Sequence, residues 1–199
     1  MTKSMHHVEI VCILDKSGSM AHITKETCAG FNEFVQEQRK LKGDAFLSLT
    51  LFNTEVEQVY SRCKLDDVGD LTEEVYCADG MTALLDAMGE TLTKVKSRIV
   101  KSVKSKRPKK VIVLIVTDGL ENASKEWKKD SIRELITDLQ DNYKWKFIFL
   151  GANQDSIQTC DAYGINTEHA ANYKATRTGV MTAYSTATAS TTTIRETRV

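Results

Sequence analysis

Two apolar runs, each followed at once by acidic and hydroxyl side chains, constrain the fold of this chain more than any other feature. The most apolar run is Val111–Val116 (VIVLIV), and it leads into Thr117–Gly119 (TDG). A second run, Val8–Leu14 (VEIVCIL), leads into Asp15–Ser19 (DKSGS). Short runs rich in β-branched residues are typical of buried strands in a parallel sheet. We therefore predict two buried strands, each of which delivers polar side chains to its carboxyl end.

Helical patterns alternate with strand patterns along the rest of the chain. Amphipathic stretches, in which apolar residues recur at helical spacing, predict helices. The predicted helices cover residues 24–41, 83–106, 130–142, 154–163 and about 175–195, with a short helix near 68–75 in the irregular segment 61–81. The other predicted strands cover residues 45–52, 56–60 and 146–150, and a short edge strand follows residue 165.

This alternation predicts an α/β fold with a doubly wound, mostly parallel, Rossmann-like sheet and helices on both faces. The strand at 56–60 follows its predecessor through Asn53–Glu55, so we expect a hairpin and one antiparallel edge strand. We treat residues 1–199 as a single domain with a core at about 6–165. Residues 166–199 then supply the edge strand and either a packed C-terminal helix, which we favour, or a tail rich in Thr, Ser and Ala.

Topology predicts where the polar side chains meet. Ligands of doubly wound sheets bind beyond the carboxyl ends of the strands, at the point where the strand order reverses. If the two apolar strands are neighbours across that point, Asp15 and Asp118 face one crevice. Thr82 begins the helix that leads into the second of these strands, so it reaches the same rim.

The predicted crevice collects oxygen atoms only. Its two carboxylates and three hydroxyls belong to Asp15, Ser17, Ser19, Thr82 and Asp118. Hard oxygen ligands favour Mg²⁺ or Mn²⁺, with Ca²⁺ as a further candidate. The pattern Asp-x-Ser-x-Ser alone is equally compatible with a helix cap or a turn. The two strand ends and the Thr82 segment together favour the metal, which two carboxylates would leave with an open position for a carboxylate of a partner.

These residues resemble the metal-ion-dependent adhesion site of von Willebrand factor type A domains. The resemblance covers roughly residues 6–165, and residues 149–155 (FLGANQD) are similar to the fifth-strand exit of stand-alone bacterial and phage members. It implies a protein-binding module, not an enzyme, that holds an acidic group of its partner through the metal. Met81 departs from the family, where a small residue often precedes the Thr. We regard Met81 and His22 as candidate partner contacts at the border of the crevice.

Two other functions are weighed against this one. A magnesium-dependent phosphatase on a similar α/β sheet would need a second acid two residues after Asp15, where this chain has Ser17. A scaffold associated with nucleic acid would use the basic stretch 94–110, which has no acidic residue. We expect that stretch to be a solvated helix face, and a nucleic-acid partner is not expected. The chain has 27 basic and 27 acidic residues, and this balance also argues against a dedicated nucleic-acid binder. It does not describe local patches of charge.

The remaining features bear on the cellular compartment. The cysteines are odd in number, five, and none lies in a CxxC pair, which fits reduced structural thiols. The first seven residues are polar, and no apolar run approaches the ~20 residues of a membrane span. We therefore expect a cytoplasmic protein without a signal peptide and without a membrane partner. His6 and His7 are expected to belong to a flexible end, and Asp79 and Glu121 to solvate loops at the rim.

Overall fold

The computed structural model describes residues 7–152 and 156–197. Within these residues a six-stranded sheet has the order β3-β2-β1-β4-β5-β6. The strands are β1 (His7–Asp15), β2 (Asp44–Phe52), β3 (Val56–Lys64), β4 (Lys110–Thr117), β5 (Lys146–Ala152) and β6 (Ala170–Tyr173). The β2–β3 pair is antiparallel and the other four pairs are parallel. The predicted doubly wound, mostly parallel sheet with one antiparallel edge strand is therefore confirmed.

Helices cover both faces of the sheet. They are α1 (Thr24–Arg39), α2 (Glu73–Tyr76), α3 (Leu84–Lys101), α4 (Lys129–Asp141), α5 (Ser156–Tyr163) and α6 (Arg177–Glu196). One face packs against α1, α2 and α6, and the other against α3, α4 and α5. Among the described residues, no helix is long and apolar enough to cross a bilayer.

The C-terminal segment forms the packed helix that we favoured over a tail. The α6 helix packs against α1, and Tyr184 lies on Gly30. A Cβ atom at position 30 would fall 2.3 Å from Cδ2 of Tyr184. The two helices can therefore approach this closely only because Gly30 has no side chain, since the aromatic ring is rigid.

Two predicted helices are wrong in their bounds. The helix predicted at 83–106 ends at Lys101, because Ser102 is extended (φ −74°, ψ 145°) and Arg107 donates to carbonyls of the last turn. The short helix predicted near 68–75 is replaced by the single turn of α2, where the Thr72 hydroxyl accepts a hydrogen bond from the amide of Val75. The first strand also begins earlier than predicted. His7 is buried at its start and contacts Phe46 edge-on, so His7 is not part of a flexible end.

Some predictions fall outside the described residues. They concern His6, residues 154–155 at the start of the predicted fifth helix, and residues 153–155 of the segment at the exit of β5.

Candidate metal centre

The order of the strands brings the two predicted polar segments together. β1 and β4 are parallel neighbours, with Leu14 opposite Val116. β2 lies on the outer side of β1 and β5 on the outer side of β4, so the strand order reverses between β1 and β4. The Thr117 hydroxyl at the end of β4 donates a 2.6 Å hydrogen bond to Oδ2 of Asp15 at the end of β1. The predicted crevice at the reversal point is thus present.

Asp15 organises the loop that follows it. Its side chain is fully buried, and Oδ1 accepts a 2.7 Å hydrogen bond from the backbone amide of Ser17. Its backbone carbonyl accepts a hydrogen bond from the Tyr76 hydroxyl of α2. Because both carboxylate oxygens already accept hydrogen bonds, Asp15 fixes the orientation of Ser17 and of the strand end. It has less room than Asp118 to contact a ligand directly.

The two serine hydroxyls and Asp118 form a continuous row of oxygen atoms. The Oγ atoms of Ser17 and Ser19 are 3.2 Å apart, and Ser19 Oγ lies 2.6 Å from Oδ1 of Asp118. The loop is held in place by Gly18, whose amide donates a 3.0 Å hydrogen bond to the carbonyl of Gly80. A side chain at Gly18 would approach that carbonyl to 3.3 Å, so the close contact favours glycine.

Thr82 reaches the same place from the loop before α3. Its amide donates to Oδ1 of Asn122, and its carbonyl accepts from the amides of Asn122 and Ala123. A Cβ atom at Gly119 would lie 2.8 Å from Thr82 Oγ1 and 3.7 Å from Ser19 Oγ, so both hydroxyls border the space beside Gly119. Thr82 is 3% exposed, and its hydroxyl forms no hydrogen bond to another described residue.

The electrostatics of the carboxylates favour a bound cation. Burial raises the pKa of Asp15, and hydrogen bonds from Ser17 and Thr117 only partly oppose this rise. Burial also raises the pKa of Asp118, opposed by the Ser19 hydroxyl and by His22. Neither carboxylate forms an ion pair with Lys or Arg within the described part of the chain. A divalent cation would supply the missing positive charge.

The donor atoms fit a small hard cation. Around Mg²⁺, with oxygen ligands at ~2.1 Å, neighbouring ligands of an octahedron lie ~3 Å apart. The observed oxygen separations of 3.2 and 2.6 Å fall on either side of that value. No group of three His, Cys, Asp or Glu side chains suited to a metal occurs among the described residues, so the candidate site depends on its hydroxyl oxygens. The residues that would hold the cation are Ser17, Ser19, Thr82 and Asp118, with Asp15 orienting them.

The supporting roles of two acids were not predicted, since Asp86 was not singled out in the sequence and Glu121 was expected only to solvate a loop. Asp86, in the first turn of α3, accepts hydrogen bonds of 2.8–3.0 Å from the amides of residues 125–127. Glu121 accepts from the amides of Leu85, Ala123 and Ser124 and from the Ser124 hydroxyl. These bonds fasten the loop that carries Asp118 to the start of α3. Glu121 therefore holds the loop in place and does not merely solvate it. For Asp86, the only feature of the sequence that indicated a role was its position as an acid in the first turn of a helix.

The two candidate partner contacts lie in different settings. His22 places Nδ1 2.7 Å from the carbonyl of Ser19 and Nε2 2.9 Å from the carbonyl of Ala175, so it connects the site loop to the segment before α6. Met81 is 51% exposed next to Thr82. Both ring nitrogens of His22 thus contact backbone carbonyls of the protein, whereas the side chain of Met81 is accessible to a partner. A role of either residue in partner contact remains a prediction.

Comparisons with known proteins agree with this architecture. The profile described as von Willebrand factor type A domain matches residues 9–186. No curated protein matches the chain significantly.

Similar solved structures include three proteins of low sequence identity, which bear on the fold alone. The von Willebrand domain of the type V pili tip protein Mfa5 from Porphyromonas gingivalis has 10% identity and a TM-score of 0.67, with 98% of each chain covered. Proximal thread matrix protein 1 of the mussel byssus, with a zinc-occupied adhesion motif, has 12% identity and a TM-score of 0.62 over 94% of this chain and 46% of its own. A type A protein from Catenulispora acidiphila has 17% identity and a TM-score of 0.54, over 92% and 42% of the two chains. This chain thus spans less than half the length of two of these structures.

Proposed function

This chain belongs to the von Willebrand factor type A domain family, and on that premise we propose that it is a divalent-metal-dependent protein-binding module. The observation that carries the proposal is the convergence of oxygen atoms from three distant segments beside Gly119. The family match supports a metal-dependent adhesion module, and the zinc-occupied motif of the byssus protein supports a metal at this position of the fold. Mg²⁺ is our proposed ion, because the donor atoms are oxygens only.

The residues around the cation have separate tasks in this proposal. Ser17, Ser19 and Thr82 contribute neutral oxygens, and Asp118 contributes one charged oxygen. Asp15 accepts the amide of Ser17 and the Thr117 hydroxyl, which keeps the loop in the orientation that presents both serines. When bound, the cation supplies an electrophilic open position for a carboxylate. With so few anionic donors around it, a carboxylate from an Asp or Glu of a partner protein is the favoured additional ligand.

Exposed apolar side chains next to the site indicate what accompanies that carboxylate. Met81 precedes Thr82 and is 51% exposed, and Leu120 follows Gly119 and is 72% exposed. Large apolar side chains exposed beside a polar centre are typical of binding surfaces. We therefore expect the acidic residue of the partner to lie close to apolar residues that contact Met81 and Leu120.

A catalytic role is not part of the proposal. Position 17 offers a serine where the phosphatase alternative needs an acid, and Asp15 is fully buried and hydrogen-bonded at both oxygens.

A cytoplasmic location is part of the proposal, supported by the thiols, none of which forms a disulfide among the described residues.

The test uses a random peptide library with a fixed central Asp or Glu. Peptides selected on the protein in Mg²⁺ and eluted with EDTA should carry apolar residues near the fixed acid. The variant Asp118→Asn should select none of them. Elution that is insensitive to EDTA, or equal selection of a library with Asn at the fixed position, would refute the proposal. Selection of acidic peptides without apolar neighbours would refute only the role of Met81 and Leu120.

A further inference from the structure

The end of the sheet opposite the candidate metal centre is strongly basic. Nine of the 27 basic residues, and none of the 27 acidic ones, lie in residues 94–110. The sequence suggested a solvated helix face, but only the first part of this stretch lies on α3. There, three cations form ion pairs with acids of the same or neighbouring elements. The pairs are Lys94–Glu90, Lys96–Asp138 and Arg98–Glu9.

Two further cations of the stretch stabilise helix ends. Arg107 donates to the carbonyls of Val100 and Ser102 at the end of α3. The Lys110 ammonium donates to carbonyls of residues 194, 195 and 197 at the end of α6. Cations are favoured at helix C-termini, so both side chains have structural roles. The remaining lysines of the stretch are exposed and form no ion pair within the described residues. They are Lys101, Lys104, Lys106 and Lys109.

Other elements add lysines around Lys109. Two adjoining depressions of about 390 and 350 Å³ share Lys109, Lys110 and Thr197 in their walls. Lys42, after α1, lines the first, and Lys144, before β5, and Lys146, the first residue of β5, line the second. Like Lys109, these three lysines are exposed and without an ion pair among the described residues. We call the surface formed by Lys42, Lys109, Lys144 and Lys146 the basic groove.

The charge of the basic groove is not balanced locally. The acids in the walls of the two depressions are Asp44 and Glu168, against the four groove lysines plus Lys110 and Arg195. Exposed ammonium groups that lack acidic partners are natural contacts for phosphate groups. The equal numbers of basic and acidic residues in the whole chain therefore do not extend to this surface, where basic side chains outnumber acidic ones.

We propose that the basic groove binds the phosphate backbone of single-stranded nucleic acid. Its concave shape suits a strand better than a flat membrane surface, and charged grooves that follow the backbone are typical of single-strand binders. The walls of the two depressions contain no Phe, Tyr or Trp, and of their two histidines His7 is buried, so phosphate contacts would dominate over base stacking. Binding should therefore be independent of base sequence and strongly dependent on salt. It should also be independent of divalent metal, because the groove lies at the opposite end of the strands from Asp15 and Asp118.

The test measures fluorescence anisotropy of a labelled oligothymidine of about 20 nucleotides. For four phosphate contacts on a single strand, affinity should fall about 50-fold between roughly 50 and 200 mM salt. An oligoadenine of the same length should bind within about twofold, and EDTA should change nothing. Absence of binding at the lower salt concentration would overturn the proposal, as would loss of binding in EDTA.

Matched variants locate the site. The variant K42Q/K109Q/K144Q/K146Q should lose at least about tenfold in affinity at low salt, because it removes four phosphate contacts. The variant K125Q/K128Q/K129Q/K174Q removes the same charge from exposed lysines outside the groove and should change affinity less than about twofold. Circular dichroism checks the fold of both, and K144Q/K146Q replaces the first variant if that variant is unfolded.

Two results would contradict the assignment. An equal loss of affinity in both variants would show that binding follows overall charge, not the groove. Binding to vesicles that contain phosphatidylserine, without binding to either oligonucleotide, would assign the basic groove to a membrane surface instead.

Discussion

The Ser19 hydroxyl donates a 2.6 Å hydrogen bond to Oδ1 of Asp118, although 99 positions separate the two residues in the sequence. A cation bound by both oxygens would need the serine proton to turn away. The hydrogen bond and the cation therefore compete for the lone pairs of Asp118 Oδ1. Metal binding should be measurable as a change in the stability of the folded protein.

Addition of Mg²⁺ or Mn²⁺ should raise the melting temperature. A ligand at 100 times its dissociation constant that binds only the folded state adds about 2.7 kcal/mol to the free energy of unfolding. Calorimetric titration should show one ion per chain, and Asp118→Ala, whose side chain lies at a strand end, should keep the fold and lose the effect. No binding at millimolar concentrations of either ion, with the fold intact, would contradict the metal centre.

Asp118→Asn should separate metal binding from the stability of the metal-free protein. Because burial raises the folded-state pKa of Asp118 above its unfolded value, the folded state retains the proton more strongly. Stability from this group is therefore full below the unfolded pKa and is lost as pH rises through the folded pKa. In urea unfolding at pH 7 without metal, the Asn variant should be at least as stable as the wild type, and any advantage should vanish near pH 3. A less stable variant at pH 7 would mean that the carboxylate stabilises the fold through Ser19.

Thr82→Ala should affect ligand binding far more than folding. The hydroxyl has no partner among the described residues, and the bonds of Thr82 to Asn122 and Ala123 use its backbone, which Ala retains. The free energy of unfolding without metal should fall by only about 1 kcal/mol, the cost of a small buried group. Affinity for Mg²⁺, and for the selected acidic peptides, should fall at least about tenfold, or ~1.4 kcal/mol. Thr93→Ala, on the exposed side of α3, is the matched control. Unchanged metal and peptide affinity in Thr82→Ala would remove Thr82 from the site.

Gly89→Ala should weaken the site from a distance. A Cβ atom at position 89 would lie 2.0–2.4 Å from carbons of the Trp127 indole, which ends the loop that carries Asp118. We expect a loss of about 1–3 kcal/mol of stability from overpacking, a shift in tryptophan fluorescence, and weaker metal binding. Gly69→Ala is the control, since its nearest contact would be the Tyr60 hydroxyl at 3.2 Å. Wild-type metal affinity in Gly89→Ala would show that the loop tolerates displacement of Trp127.

The strand ends of the site could be predicted from sequence, whereas the supporting contacts could not. Asp15 and Asp118 follow apolar runs directly, and the rule for strand-order reversal in parallel sheets places both at one crevice. The bonds from Asp86 to the amides of residues 125–127 join positions 39–41 apart and depend on how the loop after β4 folds back. Periodicity carries no information about such contacts. The same limit applies to His22, whose ring meets the carbonyl of Ala175, 153 positions away.

The pairing of β1 with β4 has a consequence for how the protein folds. It joins residues about 102 positions apart, as the bond from Thr117 to Asp15 does. Closing so long a loop costs chain entropy before any contact compensates for it, so pairings of high contact order limit the rate of folding. The oxygen cluster contains residues that follow β1 and residues that follow β4. Neither half of the chain can therefore form the cluster alone. A bound cation would therefore slow unfolding without accelerating folding, and the protein would hold its ion only once β1 and β4 are paired.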